Sequence, residues 1–182
     1  MSEPMGIKKF NGDAITAFAF AESQLLGADF WRVMAPLSFF FTWKGVAYSV
    51  DIPMGYLTDG ASVPKPFHPL VGPWGSHGPA AIAHDIMCEY LKIWDISRTR
   101  MVDISRKDAD DIFNEIMKAC GVDDEKRALI YAAVRTYAVT TGRTRPSAMY
   151  TAAKRNAEAN WVKDQEAQGK RVPVIVHYGA TV

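Results

Sequence analysis

Two segments in the first half of the chain predict a β-hairpin, the first mostly apolar and the second with its apolar and polar side chains on alternate faces. They cover residues 39–43 and 46–52, and the turn between them contains Gly45, which can take the positive φ that a two-residue turn requires. A weaker period-two pattern at 17–21 and a mostly apolar segment at 30–34, ended by Pro36, predict two more strands. The first half of the chain therefore predicts a small antiparallel sheet.

The second half has the three- and four-residue spacing of apolar positions that is typical of helices. Residues 80–93 run without a helix breaker, and a charged loop is expected after them. The next helix starts at Ser105 with a capping-box pattern and ends before Gly121. A further helix is predicted over 124–141. We therefore predict an α+β fold, in which the small antiparallel sheet packs against a helical C-terminal half.

The end of the chain differs from the rest. Residues 147–168 predict a polar helix with one apolar residue per turn, and 172–178 predict a short edge strand. So narrow a stripe leaves little surface to bury, so we divide the chain into a core domain, 1–142, and an appendage, 143–182. We expect 147–182 to contact a partner protein or a second copy of the chain. The alternative is that this segment folds back on its own domain.

Composition and charge narrow the class of protein. Of 182 residues, 48% are hydrophobic, which is typical of a globular protein. No run of apolar residues is long enough for a membrane span, so we expect none. The net charge of +1 argues against nucleic-acid binding through bulk electrostatics. Two cysteines form no disulfide framework, which favours a reducing compartment such as the cytoplasm.

His84 is the strongest candidate for chemistry, because it lies in the middle of a predicted helix on a mostly apolar face. Asp85 follows it directly, and Asp110 lies at the border of the apolar stripe of the next helix. A histidine beside a carboxylate has its tautomer and basicity set, as a general base requires. We therefore take these three residues as candidate catalytic groups. The alternatives are a structural core histidine and an Asp110 that pairs with Arg106 or Asn114.

Residues 58–64 form the other candidate segment, because their side-chain oxygens suit either a turn or a hard cation. We take Asp59 and Asp85 as candidate ligands of a divalent metal cation. No nucleotide-binding motif occurs, so we assign no cofactor-binding residues. Cys88 and Cys120 fall on apolar helical faces, where we expect unreactive thiols.

Three blocks in a fixed order resemble a known family. Residues 52–64, 80–85 and 105–113 are similar to motifs of small phage and prophage proteins catalogued as domain of unknown function number 1353. The resemblance covers roughly 45–140. It implies a phage or prophage origin, and therefore a place in the cytoplasm of an infected bacterial host or in the virion. It carries no known activity, and it marks as motif positions Thr58, Asp59, Ser62, His84, Asp85 and Asp110.

A fainter resemblance suggests a reaction. Residues 84–88 are similar to the helix motif of phospholipase A2, where a histidine activates water, the next aspartate helps to hold calcium, and an aspartate on a neighbouring helix orients the histidine. His84, Asp85 and Asp110 match these roles, with 55–64 in the place of the calcium loop. The disulfides and the glycine-rich loop of that family are absent from this sequence.

Two functions from different classes follow. The first is a small hydrolase, metal-assisted or not, with a His-Asp centre. The second is a non-catalytic phage structural, tail or assembly protein in which the same cluster only stabilises the fold. A metal phosphohydrolase of the His-Asp type is a third and weaker possibility, since it would need His68 or His77 as a further ligand.

Overall fold

Short strands and longer helices make up the part of the chain that the structure, a computed structural model, describes: residues 8–60, 74–142 and 148–173. The strands are β1 (Lys9–Phe10), β2 (Thr16–Phe18), β3 (Trp31–Val33), β4 (Leu37–Trp43), β5 (Val46–Ile52), β6 (Leu57–Thr58), β7 (Lys92–Asp95) and β8 (Arg100–Asp103). The helices are α1 (Phe20–Leu26), α2 (Gly78–Tyr90), α3 (Arg106–Ala119), α4 (Asp124–Thr141) and α5 (Ala148–Ala167).

The predicted hairpin, β4 and β5, forms the centre of the larger sheet. Lys44 and Gly45 make its turn with φ angles of 50° and 75°, which is the left-handed conformation that such turns require. The five-stranded sheet has the order β1-β4-β5-β7-β8, and a smaller sheet has the order β2-β3-β6. All described strand pairs are antiparallel. The α+β class predicted from the sequence is therefore confirmed.

The hydrophobic core joins the larger sheet to α2, α3 and α4. Helix α3 begins as predicted, because the Ser105 side chain accepts a hydrogen bond from the Asp108 amide and the Asp108 side chain accepts one from the Ser105 amide. Gly121 follows the helix with a φ of 74°, the predicted ending. The apolar stripe of α3 is buried, including Ile112, Ile116 and Met117. This packing places α3 directly against α2.

Two local predictions need correction. Helix α2 ends at Tyr90, because Leu91 takes a left-handed conformation, and the following 92–103 form the hairpin β7-β8 instead of the expected loop. Strand β7 gains its stability by pairing with β5 and by burying Ile93, neither of which is visible in its charged sequence. The pattern at 17–21 ends β2 and starts α1, so it is not one continuous strand.

Helix α5 packs on its own chain, which is the alternative to the predicted partner contact. Its buried face contains Ala157 and Val162, and also the charged residues Lys154 and Glu158. Trp161 lies against Gly55. The ion pairs of Lys154 with Glu89 and Glu158 supplement this small apolar contact, so α5 can pack on the domain despite its narrow apolar stripe. The partner predicted for 147–182 therefore gains no support from this helix. Most of the predicted strand 172–178 lies outside the described residues.

No helix within the described ranges is long and apolar enough to cross a membrane.

Candidate functional site

The packing of α2 against α3 brings His84 and Asp110 into direct contact, as the helical pattern predicts. His84 Nε2 lies 2.8 Å from Asp110 Oδ1, and the two residues are 1% and 0% exposed. His84 lies in the middle of α2, and Asp110 lies in the second turn of α3 beside the apolar stripe. The two side chains therefore form a buried acid–imidazole pair.

Two arginines complete the surroundings of Asp110. Arg106 Nε donates to Oδ1 at 2.9 Å, and Arg135 Nη1 donates to Oδ2 at 2.8 Å. Burial alone would raise the pKa of Asp110, but the hydrogen bonds from His84, Arg135 and Arg106 hold it down to about 2. Asp110 is therefore ionised at neutral pH and acts as a hydrogen-bond acceptor.

His84 is held from two further directions. Its ring stacks on Phe113 with the centroids 4.4 Å apart, and Cys88 Sγ lies 3.3 Å from Nε2. Burial and the charge of Arg106 lower the pKa of His84, and they outweigh the opposing hydrogen bond to Asp110. The imidazole is therefore neutral at pH 7. Since ionised Asp110 only accepts, the single ring proton is on Nε2, and Nδ1 has the basic lone pair.

Strand β6, which lies in the first of the three motif blocks, contacts Asp85. The Thr58 hydroxyl of β6 donates to Asp85 Oδ2, and the Gly60 amide donates to the Thr58 oxygen. Asp59 has an exposed side chain. Its charge opposes in part the lowering of the His84 pKa, so Asp59 influences the imidazole. The structure therefore brings three of the predicted motif residues, Thr58, Asp59 and Asp110, close to α2, which itself contains His84 and Asp85. Ser62 and His68 lie outside the described residues, and His77 is the buried residue that precedes α2.

The metal ligands expected from the sequence were Asp59 and Asp85. Among the described residues, the ligand atoms of His84, Cys88 and Asp110 all lie within 4.8 Å of one another. Burial raises the pKa of the Cys88 thiol, which agrees with the expectation of an unreactive cysteine. The convergent group is thus different from the expected pair, and a role for Asp59 and Asp85 remains a prediction.

Arg135 was missed at the sequence level. It lies on α4, one helical turn after Tyr131, whose hydroxyl donates to Asp111 at 2.6 Å. The sequence signal for Arg135 is its i, i+4 spacing from Tyr131, which places two hydrogen-bond donors on one face of α4, opposite the adjacent acids Asp110 and Asp111. Such a signal is weak, because it has meaning only when α3 and α4 are known to be neighbours.

A second buried polar group, also missed, connects α5 to the site. Glu89 of α2 accepts hydrogen bonds from Lys154 Nζ at 2.5 Å and from Arg155 Nε at 3.0 Å. Glu158 Oε1 accepts one from the Leu57 amide at 2.8 Å. Because Thr58 follows Leu57 and binds Asp85, α5 helps to hold the strand that contacts the site.

One comparison with known proteins gives a match. The model of a family described as "Protein of unknown function (DUF1353)" matches residues 31–134, a range that contains His84, Asp85 and Asp110 and ends before α5. No curated protein and no solved structure matches the chain.

Proposed function

We propose that this chain, which belongs to the DUF1353 family of proteins of unknown function, is a small hydrolase of phage or prophage origin in which His84 activates water. The observation that carries the proposal is the 2.8 Å contact between His84 Nε2 and Asp110 Oδ1. It sets the ring tautomer so that Nδ1 is the proton acceptor, which is what a general base requires. The proposed substrate class is carboxylic esters.

The reaction follows from this arrangement. His84 Nδ1 takes a proton from water while the water oxygen attacks the ester carbonyl carbon, and Asp110 stabilises the imidazolium that forms. The C–O bond to the alcohol then breaks, and the proton passes from His84 to the leaving alkoxide. The products are a carboxylic acid and an alcohol, and His84 returns to its neutral form.

Asp85 and Asp59 have a supporting role in this proposal. Their carboxylate oxygens suit a hard divalent cation, which would polarise the ester carbonyl when bound. The Thr58 hydroxyl donates to Asp85 Oδ2 and so holds this carboxylate in one orientation. The hydrolase is therefore expected to lose activity when divalent cations are chelated.

A non-catalytic phage structural, tail or assembly protein is the second candidate, and two observations favour it. Asp110 accepts from both Arg106 and Arg135, which is also the pattern of a stabilising ion network. In addition, a cleft of about 470 Å³ is lined by Trp43 and Tyr131 among others, and His84 does not line it. In this second proposal the same cluster stabilises the packing of α2, α3 and α4.

The two candidates are separated by the variant His84→Gln. Hydrolysis of fluorogenic short-chain esters and of phospholipid vesicles is measured with calcium and with a chelator, and melting temperature is recorded in parallel. The hydrolase proposal predicts a loss of about 100-fold or more, because general-base catalysis contributes about 10²–10⁴-fold. Lys163→Gln, at an exposed position on α5, is the control and keeps full activity.

The opposite result is equally specific. If the wild-type chain hydrolyses none of these esters, and His84→Gln lowers the melting temperature strongly, the cluster is structural and the second candidate stands. Wild-type hydrolysis that survives His84→Gln would exclude His84 as the base.

A further inference from the structure

His84 and Cys88 are four residues apart on α2 and therefore lie on the same face of the helix. Asp110 of α3 faces them, and the three ligand atoms lie within 4.8 Å of one another. All three side chains are buried, with Cys88 8% exposed. An imidazole nitrogen, a sulfur and a carboxylate oxygen thus converge on one point.

The spacing of these atoms is close to that of a tetrahedral metal site. Zn²⁺ lies about 2.0–2.2 Å from nitrogen and oxygen ligands and about 2.3 Å from sulfur, which separates the ligand atoms by about 3.3–3.6 Å. The observed separations are 2.8 Å from Nε2 to Oδ1 and 3.3 Å from Nε2 to Sγ. A change of about 0.5 Å or less in each of these two separations would be enough to admit the ion. The third separation, from Sγ to Oδ1, lies within 4.8 Å and would have to close by up to about 1.2 Å.

We propose that His84 Nε2, Cys88 Sγ and Asp110 Oδ1 bind a soft divalent cation of the Zn²⁺ or Cd²⁺ type, with water in the fourth position. The sulfur ligand favours these ions over Mg²⁺ and Ca²⁺. The site therefore differs in chemistry from the oxygen ligands Asp59 and Asp85.

The two arginines beside Asp110 set the conditions under which the cation binds. The cation displaces one proton to solvent, that of the Cys88 thiol, while the imidazole stays neutral and its proton moves from Nε2 to Nδ1. An ion of charge +2 that replaces one proton raises the net charge of the cluster by one, and Arg106 Nε must leave Oδ1 for the ion to bind there. Arg135 remains on Oδ2, the carboxylate oxygen that the cation does not use.

Binding at this site has a consequence for His84. A neutral imidazole that binds a metal through Nε2 has its proton on Nδ1, so it cannot accept a proton from water there. In the hydrolase proposed above, the soft cation would therefore inhibit. That consequence rests on the proposed function, whereas the binding itself does not.

The test is a titration of the full chain, freed of metal and kept reduced with a phosphine, with CdCl₂. We expect a thiolate-to-Cd²⁺ charge-transfer band in the ultraviolet that saturates at a single equivalent. Cys88→Ser should abolish the band, and Cys120→Ser, the matched control on α3's C-terminal end, should keep it. His84→Gln should weaken Zn²⁺ binding by about 10-fold or more, since even contacts outside the ligand shell are worth about 10–100-fold.

Three results would overturn the proposal: no band in the wild type, a band that persists in Cys88→Ser, or a band lost equally in Cys120→Ser. Circular dichroism checks that each serine variant is folded. None of these outcomes depends on ester hydrolysis, so the failure of this proposal and the failure of the hydrolase proposal are distinguishable.

Discussion

Replacing Lys154 with methionine tests whether buried charges hold α5 on the rest of the protein. Lys154 is 4% exposed, and its Nζ lies 2.5 Å from Glu89 Oε2 and 3.5 Å from Glu158 Oε1. The ammonium group also lies 3.7 Å from the centre of the Tyr56 ring. Methionine fills a similar volume, so the change removes the charge and keeps most of the apolar packing.

The expected loss follows from the partners that remain. Removing one partner of a buried ion pair costs about 3–5 kcal/mol. Glu89 keeps its bond from Arg155, and Glu158 keeps the bond from the Leu57 amide, so the lower end applies. We therefore expect Lys154→Met to lower the free energy of unfolding by about 3 kcal/mol. In a chain of this size, that corresponds to a fall in melting temperature of about 6–12 °C.

The loss should also depend on pH. Burial raises the pKa of Glu158 above its ordinary value even with Lys154 present. Without Lys154, the pKa of Glu158 rises further, so the folded state binds a proton that the unfolded state has already released. The stability that the variant lacks at neutral pH is therefore regained in part as the pH falls through the folded-state pKa.

Urea unfolding followed by tryptophan fluorescence, at neutral and mildly acidic pH, measures the effect. Lys163→Met is the matched control, because Lys163 is exposed on the same helix. The control should change the stability by no more than about 0.5 kcal/mol. If the two variants lose equal stability, the buried charges do not hold α5, and the expectation that 147–182 needs a partner regains its basis.

Three further predictions concern single sites. The low pKa of Asp110 contributes about 2–3 kcal/mol to the free energy of unfolding at pH values above the pKa of an unfolded aspartate, and this contribution is lost as the pH falls towards 2. The stability of the wild type should therefore fall more steeply with acid than that of Asp110→Asn. Gly55→Ala should cost about 1–3 kcal/mol in urea unfolding, because φ is 95° and a Cβ would lie 3.1 Å from Trp161; an unchanged midpoint would contradict this. Ser105→Ala should cost about 0.5–2 kcal/mol by removing the acceptor for the Asp108 amide, and a thermal melt unchanged within error would show that the cap is dispensable.

Some features of this protein are determined by sequence within short stretches. The central hairpin follows from the apolar residues 39–43, the alternation over 46–52 and Gly45 between them, and the start of α3 follows from Ser105 and Asp108. The contact of His84 with Asp110 was also foreseeable, because a helical stripe shows which side of each helix faces the core. The hairpin turn and the helix start depend on residues within about one or two turns, so the local pattern itself contains the cause. His84 and Asp110 are 26 residues apart, and for them the pattern determines only the face of the helix on which each lies.

Other features were decided only when distant segments met. The hairpin β7-β8 has charged ends and forms because β5 offers it an edge, which no local pattern records. Arg135 and Lys154 belong to buried networks with Asp110 and Glu89. These partners lie 25 and 65 residues away in the chain, so no local pattern indicates the pairing. A buried charge is stable only where another element supplies its counter-charge, so tertiary packing decides whether a charged residue is buried. In the sequence alone, the same residue looks like part of an exposed helix face.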